Sequence, residues 1–239
     1  MGRRASVVTY LDVPDGPSIG ASRRHRYRYR TRARARTYDV RVDLMPLVIS
    51  SGWASGVNAY LVVLVLGLAD RFADLAQVPD VLSRTDVLLV AGAFYAVEFV
   101  ADKIPYLDSS WDVVSTAIRP TVGAVVALLL AGEVDTLEQA LYAVLGGGTA
   151  LVSHALKASL RLAINTSPEP VTNVGASVGE DLAVVGVVLL AVTHPWIALA
   201  VVLVLLALGG ALLVWAIRRI RRGVRRRRER RSGVGGPAS

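Results

Sequence analysis

Two glutamates lie inside apolar stretches of this chain, Glu98 in FYAVEFVADK and Glu180 in SVGEDLAVV. Asp102 follows Glu98 by four residues, so a helix would project both from one face. Asp181 adjoins Glu180 and would point about 100° away from it. At most one of that pair is then expected beside Glu98. Asn58 in SGWASGVNAY and His154 in GGGTALVSHAL add an amide and an imidazole. Carboxylates, an amide and water suit a hard cation such as Mg²⁺ or Mn²⁺. They suit proton transfer equally well, and an imidazole can relay a proton. The chain has no cysteine, which excludes disulfides and thiolate metal sites. A metal, if one is held at all, would fall to Glu98 and Glu180. No resident cofactor is expected, a divalent cation or proton being cargo instead.

Each candidate has a plainer reading. A glutamate deep in an apolar helix costs several kcal/mol unless paired, protonated or hydrated. Segments two and five (defined below) supply no basic partner at that depth, so Glu98 and Glu180 should face each other across one polar cavity. Asn58, Asp102, His154 and Asp181 are the remaining candidates for its lining. The alternative is a polar network that only locks helices together. For His154 that alternative is preferred: a lone histidine satisfied by a neighbouring helix is commoner than a ligand. The tracts GGGTA and SGWASG are not phosphate loops, since no strand precedes them and no Gly-Lys-Ser/Thr follows. Small residues in membrane helices chiefly permit close packing. They also let a helix break and present its carbonyls. Ser55 with His154 matches no protease spacing, so an enzyme is not expected.

These residues need apolar elements to hold them. Hydrophobic residues make up 53% of the 239, and mean hydropathy is +0.48. A soluble domain of this length rarely carries so much. Six apolar segments run at about 46–69, 86–104, 113–132, 137–163, 173–193 and 195–217, each near the length that crosses a bilayer. The expected fold is all-α, a polytopic membrane helix bundle of about six transmembrane helices. Three parts are expected: a basic, disordered extension 1–44, a transmembrane domain 45–217 and an Arg-rich cytoplasmic tail 218–239. Met45 is an alternative start, and no secretory signal pattern precedes it.

Charge sets the expected orientation. The tails hold 21 of the 27 basic residues, leaving the body with six basic and 14 acidic residues. The loop DRFADLAQVPDVLSRTD is acidic overall, EVDTLE is acidic only and THP is uncharged. Lys103, Arg119, Lys157 and Arg161 fall toward the opposite ends. The positive-inside rule then puts both termini in the cytoplasm of a cell whose inner membrane holds the protein. The arginine tails are expected to touch the bilayer's anionic headgroups rather than nucleic acid. A homo-oligomer is left open. Trp53, Trp111, Trp196 and Trp215 sit near segment ends, as interfacial tryptophans do.

The small-residue tracts of segments one and four, and the glutamates of segments two and five, hint at a 3+3 inverted repeat, an arrangement common in secondary transporters. SGWASGVNAYL, PDVLSRTDVL, YAVEFVADKIPYLDSSWD, IRPTVGA, GGGTAL, NTSPEP and THPW occur in this order. With these motifs, residues 45–217 resemble a bacterial membrane family, domain of unknown function 4126. The resemblance implies an integral membrane protein and assigns no catalytic residue. The favoured expectation is a small transporter or channel for a hard cation, proton or small polar solute. A lipid-handling protein and a non-transporting scaffold are the alternatives.

Overall fold

A computed structural model of the chain describes residues 40–104, 107–165 and 170–232. The expected disorder of the leader falls, for residues 1–39, outside the described residues. So do residues 105–106, 166–169 and 233–239.

Among the described residues there are seven α-helices and no strand. They are α1 (Val40–Val57), α2 (Ala59–Ala73), α3 (Thr85–Ala101), α4 (Leu107–Ala131), α5 (Thr136–Asn165), α6 (Pro170–Thr193) and α7 (Pro195–Ser232). Among the described residues three stretches are long and apolar enough to cross a membrane: Ser110–Ala131, Val174–Thr193 and Pro195–Arg219. Six apolar segments thus become seven helices, because segment one is broken. Asn58 is extended, with φ −152° and ψ 100°, and its side chain accepts from Leu61 N at 3.0 Å. That is an ordinary N-cap, which satisfies one of the free amides opening a helix.

The break reverses the chain. Gly52 meets Gly146, Gly56 meets Ala150, and Val57 meets Lys157. Both numbers rise together, so α1 runs parallel to α5. Asn58 meets Asp181, and Gln77 just past α2 bonds Val192 O. So α2 runs parallel to α6. Arg161 near the end of α5 meets Glu180 in the first half of α6, so those two run antiparallel. Therefore α1 and α2 form a V with Asn58 at its tip, where a single crossing helix was expected. The start of α1 and the end of α7 lie at opposite faces of the bundle. The two small-residue tracts also sit on parallel helices, so they are not related by inversion. Spacing alone matches two such tracts without revealing the direction of the chain.

Tight packing explains the glycines. A Cβ on Gly52 would lie 2.5 Å from the Gly146 carbonyl oxygen, and one on Gly123 would lie 2.7 Å from Ala150 Cβ. Helices α1, α4 and α5 can meet this closely only through small residues. Helix α1 is the buried centre, packed by α4, α5, α6 and α7. Trp53 lies in this core rather than at an interface, whereas Trp196 and Trp215 are exposed.

The exterior is apolar, unlike that of a water-soluble protein, and the interior combines an apolar core with buried charges. Val113, Val144, Leu182 and Leu208 stand on the outside. The largest fully buried side chains are Arg119 and Arg161, each 1% exposed. An apolar outer surface this extensive calls for lipid around it.

Candidate functional site

The V-shaped break organises the polar interior. The last carbonyls of a helix lack partners within it. Here two cations take them. Lys157 Nζ donates to Val57 O at 2.9 Å, and Arg119 Nη1 reaches Gly56 O at 3.4 Å. Positive charge at a helix C-terminus also opposes the negative end of the macrodipole. On the other side of the break, Asn58 caps α2 with its oxygen and donates its amide to Asp181 Oδ1 at 3.1 Å.

Arg119 stands well inside the Ser110–Ala131 span. Its Nη2 donates to Glu98 Oε1 at 2.5 Å, and its Nη1 lies 3.2 Å from Asp112 Oδ1. The same Nη1 donates to His154 Nδ1 at 2.9 Å. Arginine only donates, so His154 Nδ1 must accept and the ring proton sits on Nε2. That nitrogen lies 3.0 Å from Thr116 Oγ1, whose own hydroxyl donates to Asp112 O at 2.9 Å. His154 is a core histidine satisfied on both sides, held neutral by its hydrogen bonds.

One turn further along α5, Lys157 Nζ lies 3.0 Å from Asp102 Oδ2 and 3.3 Å from Glu180 Oε2. Arg161 grips both Glu180 oxygens, at 3.2 Å from Nε and 2.6 Å from Nη2, the fork geometry that makes arginine–carboxylate pairs strong. It also donates to the Asp102 backbone oxygen at 3.1 Å. His154, Lys157 and Arg161 share one face of α5 by their spacing.

Three expectations need correction. Glu98 and Glu180 are not left without bases to face each other; each has a basic partner, supplied by α4 and α5. Arg119, Lys157 and Arg161, expected only as charges toward the segment ends, are buried among the helices against acids. Glu98 lies in the last turn of α3 and not at its middle. The pair Glu180 and Asp181 also divides differently from expectation: Glu180 joins Lys157 and Arg161, while Asp181 accepts from Asn58 and from Tyr95 OH at 3.2 Å. All six expected residues therefore belong to one neighbourhood. It adds Arg119, Arg161, Lys157, Asp112, Thr116 and Tyr95. Among the described residues no three of His, Asp and Glu are grouped to hold a metal ion.

The neighbourhood is enclosed. Glu98 is 1% exposed, and its Oε2, the Nε of Arg119 and the Ser177 hydroxyl are buried without a hydrogen-bond partner. Glu180 and Asp181 are only partly covered.

No curated protein and no solved structure matches the chain. One family does, described as Domain of unknown function (DUF4126), and it matches residues 45–219.

Proposed function

The chain belongs to the Domain of unknown function (DUF4126) family, and from that premise we propose that it is a small membrane transporter or channel that handles protons, alone or coupled to a small polar solute. One observation carries the reading. Three cations and five carboxylates converge on a helix break inside a bundle with an apolar exterior. Removing so many charges from water costs several kcal/mol per ion, and apolar residues of similar volume would hold helices together as well or better. Ionisable groups at this depth, beside a discontinuous helix, are the usual furniture of an ion pathway.

The pairing favours a proton over a hard metal ion. Glu98, Asp102, Asp112 and Glu180 already meet the protein's own cations. A metal would have to displace those cations, whereas a proton needs only to land on one oxygen. In the orientation we propose, the Arg-rich end of α7 faces the cytoplasm of a plasma membrane. Arg218 and Arg219 stand exposed there and suit anionic headgroups. The tip of the V then points toward the cytoplasmic half.

A structural reading has its own support. Lys157 touches α1, α6 and the end of α3 at once, so the ion pairs could serve as struts. Liposomes separate the two readings. Purified protein is reconstituted around a pH-sensitive dye, and a pH step is applied. The transport reading expects proton flux above that of empty liposomes, lost in Glu98→Gln while the variant keeps its fold. Flux equal to empty liposomes, with and without a panel of small polar solutes, sinks it in favour of struts.

A further inference from the structure

We propose that Asp181 is the proton-exchange site of this chain. The inference rests on the proton-handling reading above and assigns it a residue. Among the described residues the cations divide the carboxylates unevenly. Lys157 and Arg161 face Asp102 and Glu180, two charges against two. Arg119 takes Glu98 and Asp112. Asp181 meets no cation at ion-pair distance. Among the described residues its oxygens accept only from neutral donors, Asn58 Nδ2 at 3.1 Å and Tyr95 OH at 3.2 Å.

A carboxyl so held changes protonation without breaking an ion pair. Protonation at Oδ2 leaves the Asn58 amide donating to Oδ1, now the carbonyl oxygen, while the Tyr95 hydroxyl must turn, and the new O–H needs an acceptor. Ser177 sits one turn earlier on the same face of α6, with its hydroxyl buried and without a hydrogen-bond partner. Access also differs. Glu98 and Asp112 are 1% and 6% exposed, whereas Asp181 is only half-buried. The charged groups around it come from every side: Lys157 of α5, Asp102 and Lys103 beyond the end of α3, and Glu180 beside it on α6.

The site is also mechanically placed. Asn58 donates to Asp181 while capping α2. A proton arriving at Asp181 changes the strength of the bond that Asn58 makes across the break. The load is therefore sensed where α1 and α2 join.

Infrared difference spectroscopy of the full chain in lipid nanodiscs, stepped between acidic and alkaline buffer, reads carboxyl protonation without needing transport. A titrating carbonyl band is expected in the parent, lost in Asp181→Asn, kept in Glu180→Gln, and shifted in frequency in Tyr95→Phe and Asp181→Glu. A parent without such a band, a band that survives Asp181→Asn, or one unmoved by Asp181→Glu overturns the assignment. If Asp181→Asn does not fold, Asp181→Glu and Tyr95→Phe decide alone. Liposome flux is scored separately. A silent parent in liposomes that still shows the Asp181 band defeats the transport reading and leaves the site. Flux without the band does the reverse.

Discussion

Gly52 of α1 and Gly146 of α5 touch backbone to backbone: a methyl group on Gly52 would stand 2.5 Å from the Gly146 oxygen and 2.9 Å from its Cα. Neither atom belongs to a flexible side chain, so the helices themselves would have to separate. Gly52→Ala is expected to destabilise the bundle by about 1–3 kcal/mol, the range for overpacked cores, and Gly52→Val by more. Gly186→Ala is the control, since nothing lies within 4 Å of its new methyl. Thermal unfolding in detergent checks both. Equal midpoints for Gly52→Ala and Gly186→Ala would contradict the packing described.

Arg119→Met should be among the most damaging single changes. It strands Glu98 and Asp112 as buried carboxylates and frees His154 Nδ1. Breaking a buried pair by removing one partner costs about 3–5 kcal/mol. Adding Glu98→Gln to Arg119→Met should recover part of the loss. Arg119→Lys should not rescue, because an ammonium cannot reach Glu98, His154 and Gly56 O with one planar fork. A double variant no more stable than Arg119→Met alone would show that Glu98 is not the partner that matters.

The two lysines should behave differently. Lys157 is buried and holds the free end of α1, whereas Lys103 lies over the Phe99 ring at the periphery. Lys157→Met should lower expression and thermal stability sharply, while Lys103→Met should stay near the parent. The comparison uses matched purifications of the two variants. Similar losses in both would mean that headgroup contact, and not helix capping, is what lysine supplies here.

Topology can be read with a reporter active only in the cytoplasm. Fused after Ser239 it should give signal. Inserted near residue 78, between α2 and α3, or near 134, between α4 and α5, it should be silent. Both insertion points lie on the face opposite the end of α7, because Gln77 meets the end of α6 at Val192 and α5 is antiparallel to both α4 and α6. Signal from one loop and not the other would break the alternation of seven helices.

The apolar runs were legible in the sequence because lipid demands them residue by residue. All six segments reappear as helices. What sequence could not show was partnership. Arg119 precedes Pro120 and reads as a charge at a membrane edge, yet it lies nine residues into its span. Counting that distance would have flagged it. The base that meets Glu98 comes from α4, outside its own segment and that of Glu180, so no local pattern announces it. The reversal at Asn58 was hidden by continuous hydrophobicity from 59 to 68. Its one signal was an asparagine, a favoured N-cap, after Gly-Val in the middle of an apolar run. The pairing of small-residue tracts was visible, but which way each helix pointed was decided by contacts between residues about 100 apart, as at Trp53 and Ser153.

The charged interior constrains how the protein can be made. As the ribosome delivers the chain, α3 carries Glu98 and α4 carries Arg119, and neither can be released singly into hydrocarbon without an unpaired ion. The two must leave the insertion machinery as a hairpin. Likewise α5, bearing Lys157 and Arg161, must wait for Glu180 of α6. Only α7, uncharged from Pro195 to Ile217, can partition alone. Biogenesis is thus expected to proceed in couples, with the V of α1 and α2 closing last around its lysine, and stalled intermediates truncated after α3 or after α5 are the forms that quality control should clear.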